Sequence, residues 1–205
     1  MRNLALVWVL AGVAVALLAA GDGRKPPVST FTDKRDRKVY KIVRIGSQVW
    51  FAENLNYDTI GSVCYDNKAE NCAKYGRLYD WNTAMKACPV GTHLPTDKEW
   101  TTLVDYAGGD STAGTKLKSS TGWRDNGNGT NDYGFSSLPS GFGDDGGFYG
   151  TDLNGNWWSA TESNGRDAWG RSMGYNYGNV GRGYDSETTL SSVRCVLDDE
   201  KEKRK

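Results

Sequence analysis

The chain has 205 residues, with 25 Lys or Arg against 25 Asp or Glu, so its formal net charge is zero and nothing electrostatic points to nucleic acid. Its 26 glycines, 8 Trp and 11 Tyr argue against a helical bundle. They imply one loop-rich domain, with a core built from aromatics and many tight turns.

Residues 1–20 begin with a charge at Arg2 and run apolar from Leu4 to Leu18, closing on Ala19-Ala20-Gly21. This pattern predicts a secretory signal peptide, because the run is shorter than the ~20 residues of a comfortable membrane span. Cleavage there leaves no membrane span, and the protein is expected to be exported: secreted, periplasmic or at the cell surface. The first cysteine of the chain is Cys64, so no N-terminal cysteine is available for a lipid anchor. Residues 21–30, GDGRKPPVST, read as a linker.

The next segment, 31–199, is expected to be the domain. Val39 to Ile45 and Gln48 to Ala52 mix β-branched and aromatic residues with charges. Gly46-Ser47 joins them, which predicts a β-hairpin. Lys41 and Arg44 suggest one solvated face and one buried face. Four cysteines follow: Cys64, Cys72, Cys88 and Cys195. An even count in an exported chain favours disulfides, in any of three connectivities. Cys64 and Cys72 flank a short polar loop, and closing it locally leaves Cys88 to pair with Cys195. That second loop is long enough to be worth roughly 4–5 kcal/mol of chain entropy.

A helix is expected over 81–87, capped by Asp80 and stopped before Pro89. A second begins with the capping box Thr96-Asp97-Lys98-Glu99. Trp100, Leu103, Val104 and Ala107 then recur at helical spacing, and Gly108-Gly109 ends the element. From Thr121 to Asp185 no helical period survives. Short strands are expected at Trp157–Ala160, Ala168–Met173 and Ser192–Val196, among ordered Gly-rich loops. Residues 200–205 form a charged tail. No internal repeat is visible.

Several segments carry a resemblance. A short helix ending in Cys88, then PVGTHLPT, then a helix with Glu99 and Trp100 in its first turn, resembles the C-type lectin-like fold. HLPTDKEW is also similar to a segment of the formylglycine-generating (sulfatase-modifying) enzymes, which share that fold. FTDKRDRKVYKIVRIGSQVWFAENLNY, GRLYDWNTAM, PVGTHLPTDKEW, TNDYGFSSLPSGF, NWWSATE and SSVRCV together resemble the Fibrobacter succinogenes major paralogous domain, over about Phe31 to Leu197. The resemblance implies an α+β fold. Two short helices pack on small, mostly antiparallel sheets, with a long Gly- and aromatic-rich loop region. It also supports pairing Cys88 with Cys195.

The formylglycine-generating enzymes hold copper with two nearby cysteines, and Cys195 matches only their structural cysteine, so that activity is not expected. A Cys88/His93 nucleophile pair needs a free thiol. The expected disulfide removes it and leaves His93 as a half-buried residue bonded to backbone. Neither a catalytic residue, a cofactor nor a bound metal is expected. The Glu-Pro-Asn, Gln-Pro-Asp and Trp-Asn-Asp signatures of calcium-dependent lectins are missing, and Asp152 to Asn156, with oxygen ligands in alternate positions, lacks the closing acid of an EF-hand.

What remains is a non-catalytic binding module. Flat aromatics (Trp157, Trp158, Trp169, Tyr175) can stack on sugar rings, while Asp144, Asp145 and Asn176 can bond hydroxyls. If Trp157 and Trp158 share a strand, one of them points inward. A polysaccharide partner is expected. A protein-interaction, adhesin or structural surface role of the same fold is the alternative.

Overall fold

The structure is a computed structural model and describes residues 29–198. The expected signal peptide, most of the expected linker and the charged tail lie outside those residues. Ser29 and Thr30, expected in the linker, already belong to the first strand.

In chain order the elements are β1 (Ser29–Thr32), β2 (Val39–Ile45), β3 (Gln48–Phe51), β4 (Ser62–Val63), α1 (Ala69–Tyr75), β5 (Leu78–Tyr79), α2 (Trp81–Ala87), β6 (Thr92–His93), α3 (Asp97–Tyr106) and α4 (Ala113–Leu117). There follow β7 (Ser140–Asp144), β8 (Gly147–Thr151), β9 (Asn154–Glu162), β10 (Asp167–Gly174), β11 (Gly181–Ser186), β12 (Ser191–Ser192) and β13 (Val196–Leu197). The architecture is mixed α+β, mostly sheet. One sheet has the order β1-β2-β3-β13-β6, with every pair antiparallel. The other runs β11-β10-β9-β12-β5-β4. β12 and β7 join β9 in parallel, and β8 pairs with β7.

The expected hairpin is β2–β3, closed at Gly46 with φ +59°. A side chain there would strain the backbone and meet the Tyr106 ring at 2.9 Å. Both expected helices form. Asp80 caps α2 by accepting from the Thr83 amide. α3 has the full capping box, with the Thr96 hydroxyl and the Glu99 carboxylate each taking the other's backbone amide. The short helices α1 and α4 were not anticipated. Neither has a side-chain cap hydrogen bond at its start. The expected strand Ser192–Val196 is in fact two short strands, β12 and β13, which belong to different sheets.

The core consists of two apolar clusters, and three segments lie between them. Trp50, Trp157 and Val196 face one cluster; Phe51, Trp158 and Cys195 face the other. Adjacent residues on an extended chain point to opposite sides, so each segment is buried on both faces. The one-solvated-face reading of the hairpin is corrected on the same ground. Lys41 and Arg44 have opposite parity on β2, Ile45 enters the first cluster and Tyr40 the second.

Between the clusters sits a buried polar hub. Asn54 Oδ1 accepts from Trp157 Nε1 at 2.9 Å and from Arg194 Nε and Nη2 at 3.1 and 2.8 Å. Arg194 also donates to the carbonyls of Phe51 and Phe135. Its guanidinium is fully buried and faces no carboxylate among the described ion pairs, so burial pulls its pKa well below the ordinary value. Both disulfides pair as expected, Cys64–Cys72 and Cys88–Cys195. The second fastens the end of α2 to the segment entering β13.

Candidate ligand-binding groove

The residues expected to hold ligand do not converge. Trp157 and Trp158 are each only 1 % exposed. Their indole N–H groups donate inward, to Asn54 and to the Tyr79 carbonyl. The reading of these two as stacking platforms is therefore corrected: β9 is covered on both faces, so neither indole offers a surface. Trp169 is half-buried on β10, edge-to-face with Tyr184 of β11 at 5.5 Å. One face of its ring is already taken by the Arg182 guanidinium at 3.5 Å.

Arg182 in turn joins an ion network at the start of α3. Asp97 receives Arg182 and the buried Arg171. Burial opposes ionisation of Asp97, yet these two guanidiniums hold its pKa below the usual carboxylate value. Trp169 is thus part of a clamp that ties β10 and β11 to α3. Tyr175 packs against the first cluster just beyond β10, with exposed Asn176 beside it. Asp144 and Asp145 occupy the exposed β7–β8 turn, where Asp144 accepts from the Gly146 amide. β7 and β10 flank β9 on opposite sides, so these residues lie in separate places.

His93 proves to be bonded differently from the expectation. Its Nδ1 lies 2.7 Å from Asp198 and its Nε2 2.8 Å from Glu99, so carboxylates rather than backbone receive it. The hydrogen bond to Glu99, reinforced by Asp198 and opposed by burial, raises its pKa to about 9. With both ring N–H groups donated, the imidazolium has no lone pair to act as a base. Cys88 is oxidised, so no Cys/His pair exists. The run Asp152 to Asn156 forms a turn into β9, and Arg124 already bridges the Asp152 carboxylate. Among the described residues no group of three or more His, Cys, Asp or Glu could hold a metal ion.

A concave site does exist, outside the region that the sequence singled out. It is a groove of about 870 Å³ alongside β2, within the roughly 300–1,000 Å³ typical of ligand clefts. Residues of both parities on β2 line it, Val39, Lys41 and Val43 of one and Tyr40, Ile42 and Arg44 of the other. The chain leaving β3, Ala52 to Asn54, continues it. One wall is the end of α1, Ala73 to Gly76, and the other is the loop containing Asp132, Tyr133 and Leu138.

Local structure fixes both walls. Asn54 Nδ2 donates to the Tyr75 carbonyl and Asn56 Nδ2 to the Cys72 carbonyl, holding α1 against the β3 exit. At Gly76, with φ +80°, an added Cβ would meet Asn54 and the Leu55 carbonyl at 2.8 Å, so the backbones approach closely there. The opposite loop is braced by Asn131, which bonds both the amide and the hydroxyl of Ser136. Tyr133 stands beside Tyr106 of α3 at 5.7 Å, and Tyr106 is 56 % exposed. Tyr106 covers the Gly46 turn, and of the two rings only Tyr133 lines the groove. Of the glycine-rich region 121–185, only this loop contributes. No local signal in the sequence marks the groove, because its lining comes from segments far apart in the chain.

Residues 43–197 match the family model of the Fibrobacter succinogenes major domain, so the chain belongs to that family. No curated protein and no solved structure matches the chain. Among the described residues no helix is long and apolar enough to cross a membrane.

Proposed function

We propose that the domain is an exported, non-catalytic binding module that takes a polysaccharide in the groove beside β2. The observation that carries this reading is the groove itself, lined by Tyr133 and by charged and amide side chains. Aromatic faces stack on pyranose rings, and charged and amide groups along the walls can bond their hydroxyls. Two disulfides suit an oxidising compartment. All four cysteines are oxidised, which leaves no thiolate for nucleophilic attack or copper binding. We further infer that the fold is of the C-type lectin-like kind. A Cys just past α2 bound to a Cys just before the last strand, with α3 capped at Thr96 and long glycine-rich connections, supports that reading.

The test is retention of the protein on cellulose, xylan, chitin, peptidoglycan and pectin. Retention on at least one polymer is expected, lost in Tyr133→Ala while the thermal melt stays within a few degrees of the parent. Retention on none, together with capture of one specific protein through the same groove, would move the reading to a protein-interaction role.

A further inference from the structure

The lining of the groove is not neutral, although the chain as a whole is. Lys38, Lys41, Arg44 and Lys74 line it, against Glu53 and Asp132. None of the four cations is ion-paired among the described residues. Two of the four are placed by aromatic rings of the groove wall. Lys74 Nζ lies 4.6 Å from the Tyr75 ring centre and Lys38 Nζ 5.7 Å from that of Tyr40. Burial also pulls the Lys38 pKa below its ordinary value, which marks a cation partly stripped of water.

We propose that the occupant of this groove is an acidic polysaccharide, a polymer whose sugar rings carry carboxylates. The inference rests on the binding-module reading above and narrows its ligand class. Lys38, Lys41, Arg44 and Lys74 receive the carboxylates, Tyr133 offers a face to the rings, and Glu53 and Asp132 accept from hydroxyls. The two acids decide between anionic polymers. A nucleic acid presents a charge at every phosphate and few hydroxyl donors, so Glu53 and Asp132 would oppose it. A glycan spaces its carboxylates with hydroxyls and uses both kinds of group.

The experiment compares binding of the protein to polygalacturonate, to its fully methyl-esterified form and to single-stranded DNA, at low and at moderate salt. The variants are Lys41→Glu with Lys74→Glu, and Lys98→Glu on the exposed side of α3 as a control for overall charge. The expected result is preference for the free acid over the ester, weakened by salt. Affinity should fall about tenfold or more in the Lys41/Lys74 variant and stay unchanged in Lys98→Glu. Equal binding of acid and ester, unaffected by Lys41→Glu/Lys74→Glu, would overturn the acidic-ligand inference while leaving the binding-module reading intact. Binding of DNA as tight as that of polygalacturonate, with Lys98→Glu also weakened, would show only general charge attraction and overturn it as well. Binding to none of these polymers, nor to the neutral ones above, would remove both readings.

Discussion

His93 gives the clearest single-residue expectation. Its folded pKa of about 9 lies above the ordinary value of 6.5. Its contribution is therefore complete below about pH 6.5 and lost as pH rises through 9. With the side chain about a third exposed, the loss should be about 2 kcal/mol. Melts from pH 6 to 10 should show this decline in the parent and a flat response over the same range in His93→Gln. A second expectation concerns Asn54. Replacing it with Ala strands Trp157 Nε1 and two Arg194 donors in the core. That should cost about 3 kcal/mol or more by denaturant titration. Sequence gave partial access to this scale. The oxidised state of Cys88 could be argued from cysteine count and export. The Asn54–Arg194–Trp157 hub could not, because its members are up to 140 residues apart and nothing in an isolated Asn or Arg marks it as buried.

At the scale of elements, local signals succeeded where a short stretch specifies itself. Thr96 to Glu99 closes a capping box without tertiary help, and Asp80 caps α2 in the same way. Thr96→Ala should cost about 1 kcal/mol, and a matching drop in stability with unchanged groove binding would confirm that α3 is scaffold. The disulfides should differ in weight. Separations of 107 and 8 residues imply about 4–5 kcal/mol for Cys88–Cys195 and about 2–3 kcal/mol for Cys64–Cys72. Paired Cys→Ser variants compared by chemical denaturation measure this, and equal losses would mean that strain or residual structure outweighs loop entropy. β9 shows where element-level reading fails. Asn154 to Glu162 alternates weakly, because a strand lying between two cores must be apolar on both faces around Trp157 and Trp158. A period-two argument allowed one buried Trp there and the fold buries both. α1 and α4, each short and uncapped, owe their shape to neighbours rather than to their own sequence.

At the scale of the molecule, the aromatic richness of the chain is spent largely on its interior. Trp50, Trp100, Trp157 and Trp158 are essentially inaccessible. What the fold leaves open is a groove whose parts come from β2, the β3 exit, α1 and the 131–138 loop. No local motif brings these together. The topology does so by pinning α1 to Asn54 and Asn56, while Asn131 braces the 131–138 loop. The mixed α+β class and most strong elements were therefore legible from sequence, whereas the groove required the structure. The central claim is that ligand enters this groove. It is tested most directly by hydrogen–deuterium exchange of the protein with and without a retained polysaccharide. The account predicts slowed exchange confined to residues 38–44, 72–76 and 131–138. Protection centred on residues 167–186, or no change anywhere despite retention, would contradict it.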